Sequence, residues 1–381
     1  MKITCNREQL QHAYQAVAAV APARSPKPIL QNVKLEVGET GGGAENAVTL
    51  MATDLEVGIR YQSAGVEVHA PGAVVLPVSR FGSILREISD ETLKIETDGQ
   101  KTVVTGERSR FNLPAESPSE FPPVPGFEEQ AYYEASARLL KEFIRRTIFA
   151  TDNESSRYAL GGVKMEWDGG RLTAVGTDGR RLAKMEGPVQ ATAADGSEPA
   201  PFGDATIVPS RSLQLIDRVL TDDDAQVQIA VRQNEVLVRS PRATLFTRLL
   251  EGRFPRWRDV FPSRSGSAKI ELPVGPFFAA VRQAAIVTSD ESRGVEFTFG
   301  GGSLVLSGHA AEVGDARVEM PIGYDGEEIA IKLDPRYLVD LLKVMDPEKT
   351  FTLDLADGDS AAVATTDDGY GYVIMPLSRD R

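Results

Sequence analysis

A single cysteine, Cys5, and three histidines, His12, His69 and His309, are all that 381 residues offer of the side chains most used for metal capture. One thiol forms neither an internal disulfide nor a cysteine-based metal cluster, and such usage fits a reducing, cytoplasmic setting. The histidines lie far apart with no ligand spacing around them, so each reads as structural or exposed rather than as a metal ligand or general base. No apolar run is long enough to span a bilayer, and the opening MKITCNREQL lacks the basic-then-apolar order of a secretory signal. Also missing are a Gly-x-Ser-x-Gly elbow and a glycine-rich loop leading into Lys-Ser/Thr. The nearest nucleophile candidate, Ser263–Ala268, follows no strand-to-helix run, and Gly300-Gly301-Gly302 sits where a hairpin turn would. No catalytic residue, metal, cofactor or membrane partner is expected.

Positive charge is short as well: 42 Lys and Arg against 55 Asp and Glu leave a net charge of −13. That balance opposes holding nucleic acid by bulk electrostatics, unless the basic residues are segregated onto one surface. What is present is the composition of a soluble globular protein, 41% hydrophobic and 25% charged, in a chain too long for one ordinary core.

Short β-branched or alternating runs dominate, such as Ala73–Leu76, Leu93–Glu96 and Val227–Val231, punctuated by Gly, Asp and Asn. Helical periodicity marks three faces: Leu10, Tyr14, Val17 and Val20; then Leu139, Leu140, Phe143, Ile144 and Ile148; then Phe277, Phe278, Val281, Ala284 and Ala285. A longer period organises them. VTLMATDLEVGIR (48–60), LTAVGTDGRRLAK (172–184) and LVLSGHAAEVGDAR (304–317) each read as strand, small-residue turn and strand. Downstream of each, a strand runs into a helix: VVLPVSRFGSILREI, ATIVPSRSLQLIDRVL and IAIKLDPRYLVDLLKVM. Thr53 to Phe81 and His309 to Tyr337 both span 28 positions, whereas Thr177 to Leu213 spans 36 and includes the Gly/Pro/Ala-rich loop 190–204. Closing strands follow at 108–114, 243–255 and 370–376, and Phe-Pro segments at 120–123 and 253–255 read as stiff linkers. The expected fold is α+β, three tandem copies of one module of two helices on antiparallel sheet, spanning 1–126, 127–255 and 256–381.

The stretch Thr177-Asp178-Gly179-Arg180-Arg181 gathers a carboxylate, a glycine and two guanidiniums. Its counterparts carry Asp54 in the first copy and Ala310 in the third, so the architecture repeats and the chemistry does not. Asp178-Gly179 therefore reads as a turn, with glycine supplying a positive φ; the two arginines exceed what a turn needs. Basic residues recur on helices and the turns entering them: Arg24 and Lys27; Arg80 and Arg86; Arg138, Lys141, Arg145 and Arg146; Arg211 and Arg218; Arg282; Arg336 and Lys343. Helices sharing one side would make that side basic in an acidic chain; ordinary helix solvation explains the same charges.

These motifs converge on a family. MKITCNREQL, PKPILQNV (26–33), MATDLE (51–56), AVGTDGRRLA (174–183), EGRFPRWRDVFP (251–262) and YVIMPL (372–377) occur in order, each in its own module. Over its whole length the chain resembles the bacterial β sliding clamp, the β subunit of DNA polymerase III that gives the replicative polymerase its processivity. The resemblance implies two chains closed head to tail into a six-domain ring, helices inside and sheet outside, around duplex DNA. It implies that Arg24, Lys27, Arg80, Arg211 and the pair Arg157-Tyr158 face DNA, touching backbone without sequence preference. It implies a homodimer contact of Phe111 and Leu113 against Ile286 and Val287; the same four residues read equally well as core.

It further implies a cleft for short peptides with hydrophobic ends, formed by Leu160, Thr177, Gly179, Arg180, Arg181, Leu182, Pro255, Val260, Val373, Met375, Pro376 and Leu377. The implied partners are the replicative polymerase catalytic subunit, the clamp loader, translesion polymerases and mismatch repair proteins. The chain departs from the pattern at Arg180, where well-known relatives carry His, at Asp259, where a basic residue is common, and in its charged tail LSRDR. A hydrolase on a repeat scaffold is disfavoured by the missing nucleophile–base pair, and a peptide scaffold unconnected with DNA leaves the basic helices unexplained.

Overall fold

The computed structural model describes residues 1–38, 47–114, 116–152, 154, 158–193, 198–203, 206–261 and 266–378. Among them are six α-helices, two per repeat: α1 Arg7–Ala18, α2 Val78–Glu87, α3 Ala137–Thr147, α4 Ser210–Val219, α5 Val274–Ala284 and α6 Pro335–Lys343. The rest of the regular structure is antiparallel sheet. Each repeat supplies a hairpin: Val48–Thr53 with Val57–Ser63, Arg171–Thr177 with Arg181–Pro188, and Ser303–Ala310 with Gly314–Pro321. Each sends a strand into a helix and ends in a closing strand, Arg110–Pro114, Ala243–Arg248 or Tyr370–Ile374.

Packing divides the chain into two compact units. The first holds Met1–Leu140, Gln190–Pro201 and Arg211–Leu249; the second holds Lys141–Val189, Phe202–Ser210 and Leu250–Arg381. In the first, a five-stranded sheet runs Val66–Ala70, Lys2–Asn6, Thr92–Thr97, Lys101–Thr105, Arg110–Pro114. Its nine-stranded companion runs Gln190–Ala193, Ala131–Ser136, Gln226–Val231, Glu235–Arg239, Ala243–Arg248, Val57–Ser63, Val48–Thr53, Asn32–Val37, Gly72–Pro77. In the second unit, an eight-stranded sheet runs Ile207–Pro209, Gly162–Asp168, Arg171–Thr177, Arg181–Pro188, Tyr370–Ile374, Ala362–Thr365, Thr350–Leu355, Ala268–Pro273. A four-stranded sheet runs Gly314–Pro321, Ser303–Ala310, Val295–Gly300, Ile329–Leu333. The middle repeat is thus shared, because each long sheet continues from one repeat into the next. That pairing is non-local and leaves no trace in the sequence period.

Local signals account for the elements. The Asn6 side chain caps α1 by accepting from Gln9 N at 3.0 Å, and Leu10, Ala13, Tyr14 and Val17 form its buried stripe. Asp334 caps α6 through Arg336 N at 3.0 Å, with Pro335 at the first helical position. In the first unit the Tyr14 ring meets Phe81 edge-on at 5.2 Å, and its hydroxyl donates to the carbonyl of Val78. In the second, α5 packs on α6, and Phe277 stacks obliquely between Phe297 at 6.2 Å and Phe351 at 5.8 Å. Gly301 and Gly302, with φ of 58° and 75°, make the two-residue turn between Val295–Gly300 and Ser303–Ala310. The Phe-Pro segments carry no strand, but Phe121 and Phe254 are buried, so each linker is pinned by its phenylalanine. No helix among the described residues is long and apolar enough to cross a membrane.

Candidate functional site

In the second unit the hairpin turn at Thr177–Arg181 is closed by its own side chains. Thr177 Oγ1 donates to the Arg181 carbonyl at 2.7 Å and accepts from Gly179 N at 3.1 Å. Asp178 Oδ1 accepts from the backbone N–H groups of Arg180 at 2.9 Å and Arg181 at 3.0 Å. Gly179 sits at φ 86°, a left-handed conformation in which glycine has no steric penalty. Asp178 is accordingly a turn residue.

The two arginines have separate tasks. The Arg181 side chain is only 10% exposed. Its guanidinium reaches Asp178 Oδ2 at 3.0 Å, Asp340 Oδ2 on α6 at 2.7 Å and the Phe149 carbonyl at 2.8 Å. It also lies over the Tyr337 ring at 4.6 Å and the Phe149 ring at 5.4 Å. Burial alone would lower its pKa, but Tyr372, Asp340 and Asp178 outweigh burial and raise it. Arg181 therefore ties the middle repeat to the third one. Arg180 is exposed, and a hydrogen bond to the Tyr337 hydroxyl raises its pKa.

Strand Arg181–Pro188 pairs with Tyr370–Ile374, placing Leu182 opposite Val373, and Met375 N donates to the Arg180 carbonyl at 2.9 Å. Leu182 and Val373 are buried in one apolar cluster with Ala159, Val175, Ile207, Phe254, Trp257 and Val363. Of the residues expected to line a cleft, Leu160, Thr177, Leu182 and Val373 are buried; Gly179, Arg180, Pro255, Val260 and Met375 are exposed; Arg181, Pro376 and Leu377 are intermediate. The Leu377 N–H donates to the Lys332 carbonyl at 2.8 Å. The leucine and valine are buried in that cluster, while Val260 and Met375 are exposed apolar side chains. Trp257, Phe254 and Val363 share that buried cluster, and the sequence reading does not assign them to a cleft. Trp257 and Phe254 stand inside EGRFPRWRDVFP, of which the sequence reading assigns only Pro255 and Val260 to a cleft. Among the described residues the exposed large hydrophobics are Val260, Met375, Ile286 and Val313, the first two among the residues expected to line a cleft. No described group of three or more His, Cys, Asp or Glu side chains is placed to hold a metal.

Three family models cover nearly all of the chain: the N-terminal domain of the DNA polymerase III beta subunit over residues 1–125, the central domain over 134–256 and the C-terminal domain over 258–378. The chain belongs to the DNA polymerase III beta subunit family. It is 30% identical over 383 residues to the beta sliding clamp of Pseudomonas putida, covering 99% of this chain and 100% of the relative. The beta sliding clamp of Chlamydia muridarum is 29% identical over 378 residues, 99% of each chain. Among solved structures, the DNA polymerase III subunit beta of Pseudomonas aeruginosa superposes with a TM-score of 0.88 at 28% identity over 100% of both chains.

In this beta-subunit chain the first unit holds a second copy of the junction. Thr53 Oγ1 donates to the Val57 carbonyl at 2.9 Å and accepts from Leu55 N at 2.9 Å, while Asp54 Oδ1 accepts from Glu56 N at 3.0 Å and Val57 N at 2.8 Å. Leu55 takes φ 80° where Gly179 takes 86°. In register, Gly58 opposite Phe246 replaces Leu182 opposite Val373. A Cβ on Gly58 would lie 2.2 Å from Phe246 Cε1, so the phenylalanine ring occupies the space that a leucine fills in the second unit. Phe246 itself is buried among Met51, Val75, Phe121, Val124, Ala230 and Leu237. One aromatic ring here takes the place of the leucine–valine pair.

The other expected residues fall as follows. Phe111 is intermediate and Leu113 buried on Arg110–Pro114, the outer strand of the five-stranded sheet. Ile286 and Val287 are not on a strand: they lie in the 3-10 turn Ala285–Val287 that ends α5, closed by Thr288 Oγ1 donating to the Ala285 carbonyl at 2.8 Å. Ile286 is 75% exposed, and Val287 packs on the third hairpin at Gly308. Arg24, Lys27 and Arg80 are exposed without an ion pair among the described residues, whereas Arg211 pairs with Asp54 at 2.6 Å. Arg157 and the side chain of Tyr158 lie outside the described residues. Much of the basic charge on the helices is already matched: Arg138 by Asp224 at 3.0 Å, Arg146 by Asp368 at 2.8 Å and Arg336 by Asp334 at 2.7 Å.

Proposed function

We propose that this chain is a DNA sliding clamp with no catalysis of its own. Two copies, each contributing modules 1–126, 127–255 and 256–381, close head to tail into a ring around duplex DNA and confer processivity on the replicative polymerase. One observation carries the ring. The second strand of the first hairpin pairs with the closing strand of the middle repeat, and the second strand of the middle hairpin pairs with the closing strand of the third. By that rule Gly314–Pro321 seeks the closing strand of a first repeat, Arg110–Pro114, and both are outer strands of their sheets. Two copies placed head to tail satisfy both edges twice, and edges of this kind otherwise invite aggregation. Ile286 and Val313 stand exposed beside one edge, and the half-buried Phe111 lies on the other.

A ring needs little affinity for what it encircles. A protein neutralising 6–10 phosphates loses roughly 10³–10⁵ in affinity between 50 and 200 mM salt, so binding by contacts alone is both sticky and salt-fragile. A net charge of −13, with a few unpaired cations such as Arg24, Lys27 and Arg80, suits sliding over any sequence. The cleft of Leu182, Val373, Val260 and Met375 then holds the hydrophobic peptides of the replicative polymerase catalytic subunit, the clamp loader, translesion polymerases and mismatch repair proteins in turn. Light scattering at micromolar concentration tests the ring: twice the mass of one chain is expected, and a monomer at every concentration overturns it.

A further inference from the structure

Segment 252–259 lines an open pocket of about 560 Å³ against strand Gly162–Asp168. Four cations line it, Lys164, Arg253, Arg256 and Arg258, against two carboxylates, Glu166 and Asp259. In a chain of net charge −13 such an excess of positive charge is a local feature. The carboxylates are already engaged: Glu166 by Lys164 at 2.8 Å and Arg258 at 2.6 Å, Asp259 by Arg256 at 3.2 Å. Arg258 also covers the Trp257 ring at 4.4 Å. Arg253 has no hydrogen bond or ion pair among the described residues, and the Arg256–Asp259 pair is exposed and weak. Pro255 lines the cavity and is one of the residues expected to line the cleft, and Phe254 and Trp257 belong both to the cavity wall and to the cluster of Leu182 and Val373.

We infer that this cavity receives acidic side chains flanking the apolar peptide that the neighbouring cleft holds. The inference rests on the cleft reading above and adds to it the charge class of the partner segment. Arg253 and Arg256 attract the incoming carboxylates, while Lys164, Arg258 and Glu166 form a neutralised back wall. Rim charges of this kind act on recognition and encounter rate more than on raw affinity, and they weaken with salt.

Two fluorescein-labelled peptides test it, with one shared leucine- and phenylalanine-ended core, flanked by three aspartates in one and three asparagines in the other. With the full-length protein at ~50 mM salt, the aspartate peptide is expected to bind about five-fold tighter, the advantage vanishing near ~500 mM. Arg253→Ala with Arg256→Ala removes the advantage and leaves the asparagine peptide unchanged; Arg253→Glu with Arg256→Glu reverses the preference. Equal binding of both peptides to the unaltered protein overturns the acidic-flank assignment and leaves the cleft standing. Failure of both peptides to bind overturns the cleft reading itself. Both positions are exposed, so an unchanged thermal midpoint separates these effects from misfolding.

Discussion

Phe246 fills the space above Gly58: its Cε1 stands 2.2 Å from where a Cβ of residue 58 would begin. The corresponding pair at the other junction is Leu182 and Val373, so two solutions to one packing problem sit in one chain. Gly58→Leu alone is expected to clash, and Phe246→Val alone to leave a cavity, each destabilising by about 2–4 kcal/mol. The double variant restores the leucine–valine pair and should recover at least about 1 kcal/mol beyond additivity, read from thermal unfolding as a double-mutant cycle. Strict additivity would show that the two positions do not pack as described.

Arg181 and Arg180 are neighbours with opposite predicted phenotypes. Arg181→Ala leaves Asp340 and Asp178 without their buried partner, and urea unfolding should show a loss of about 3–5 kcal/mol. Arg181→Lys should rescue poorly, because one ammonium does not match three acceptors and two rings. Arg180→Ala is expected to change stability by less than about 0.5 kcal/mol while weakening capture of a hydrophobic peptide.

The repeat, the hairpins and the helix starts were legible because they rest on local signals: turn residues, periodicity and the caps Asn6 and Asp334. The turn role of Asp178 followed from comparing it with Asp54 and Ala310. The task of Arg181 was hidden, because its partner Asp340 lies 159 positions away and only the fold joins them. Likewise Phe246 reads as an ordinary strand residue until its register with Gly58 is known. Ile286 and Val287 are an apolar pair too short to carry a period, and only the fold shows that they sit in the turn that ends α5. The division of the middle repeat between two units depends on strand pairing, which no window of sequence contains.

Three carboxylates in the second unit set its response to acid. Burial alone would raise the pKa values of Glu166, Glu186 and Asp368; hydrogen bonds from Lys164 and Arg258, from Lys184 and Arg171, and from Thr366 and Arg146 respectively outweigh it and lower them. A carboxylate depressed in the folded state contributes stability that is present above its unfolded value, about 4, and lost as pH falls through the depressed folded value. The unfolding midpoint should therefore hold steady above about pH 5 and fall steeply below about pH 4. Glu166→Gln should lower the midpoint at neutral pH and flatten the acid limb; an unchanged acid limb would argue against this pairing.

Ile286 is exposed at the end of α5, so its replacement tests assembly without disturbing a core. Ile286→Asp should leave the thermal midpoint of the isolated chain within about 0.5 kcal/mol of its original stability. Sedimentation velocity should show the dimer weakened by at least ten-fold in Kd. A dimer of unchanged affinity would move the closing contact elsewhere.

The central claim is topological, and retention on DNA tests it most directly. Protein loaded by its clamp loader onto nicked circular DNA should remain bound through gel filtration at high salt and then be lost when one cut linearises the circle. A complex that survives linearisation with free ends, or a protein that never loads, contradicts the ring.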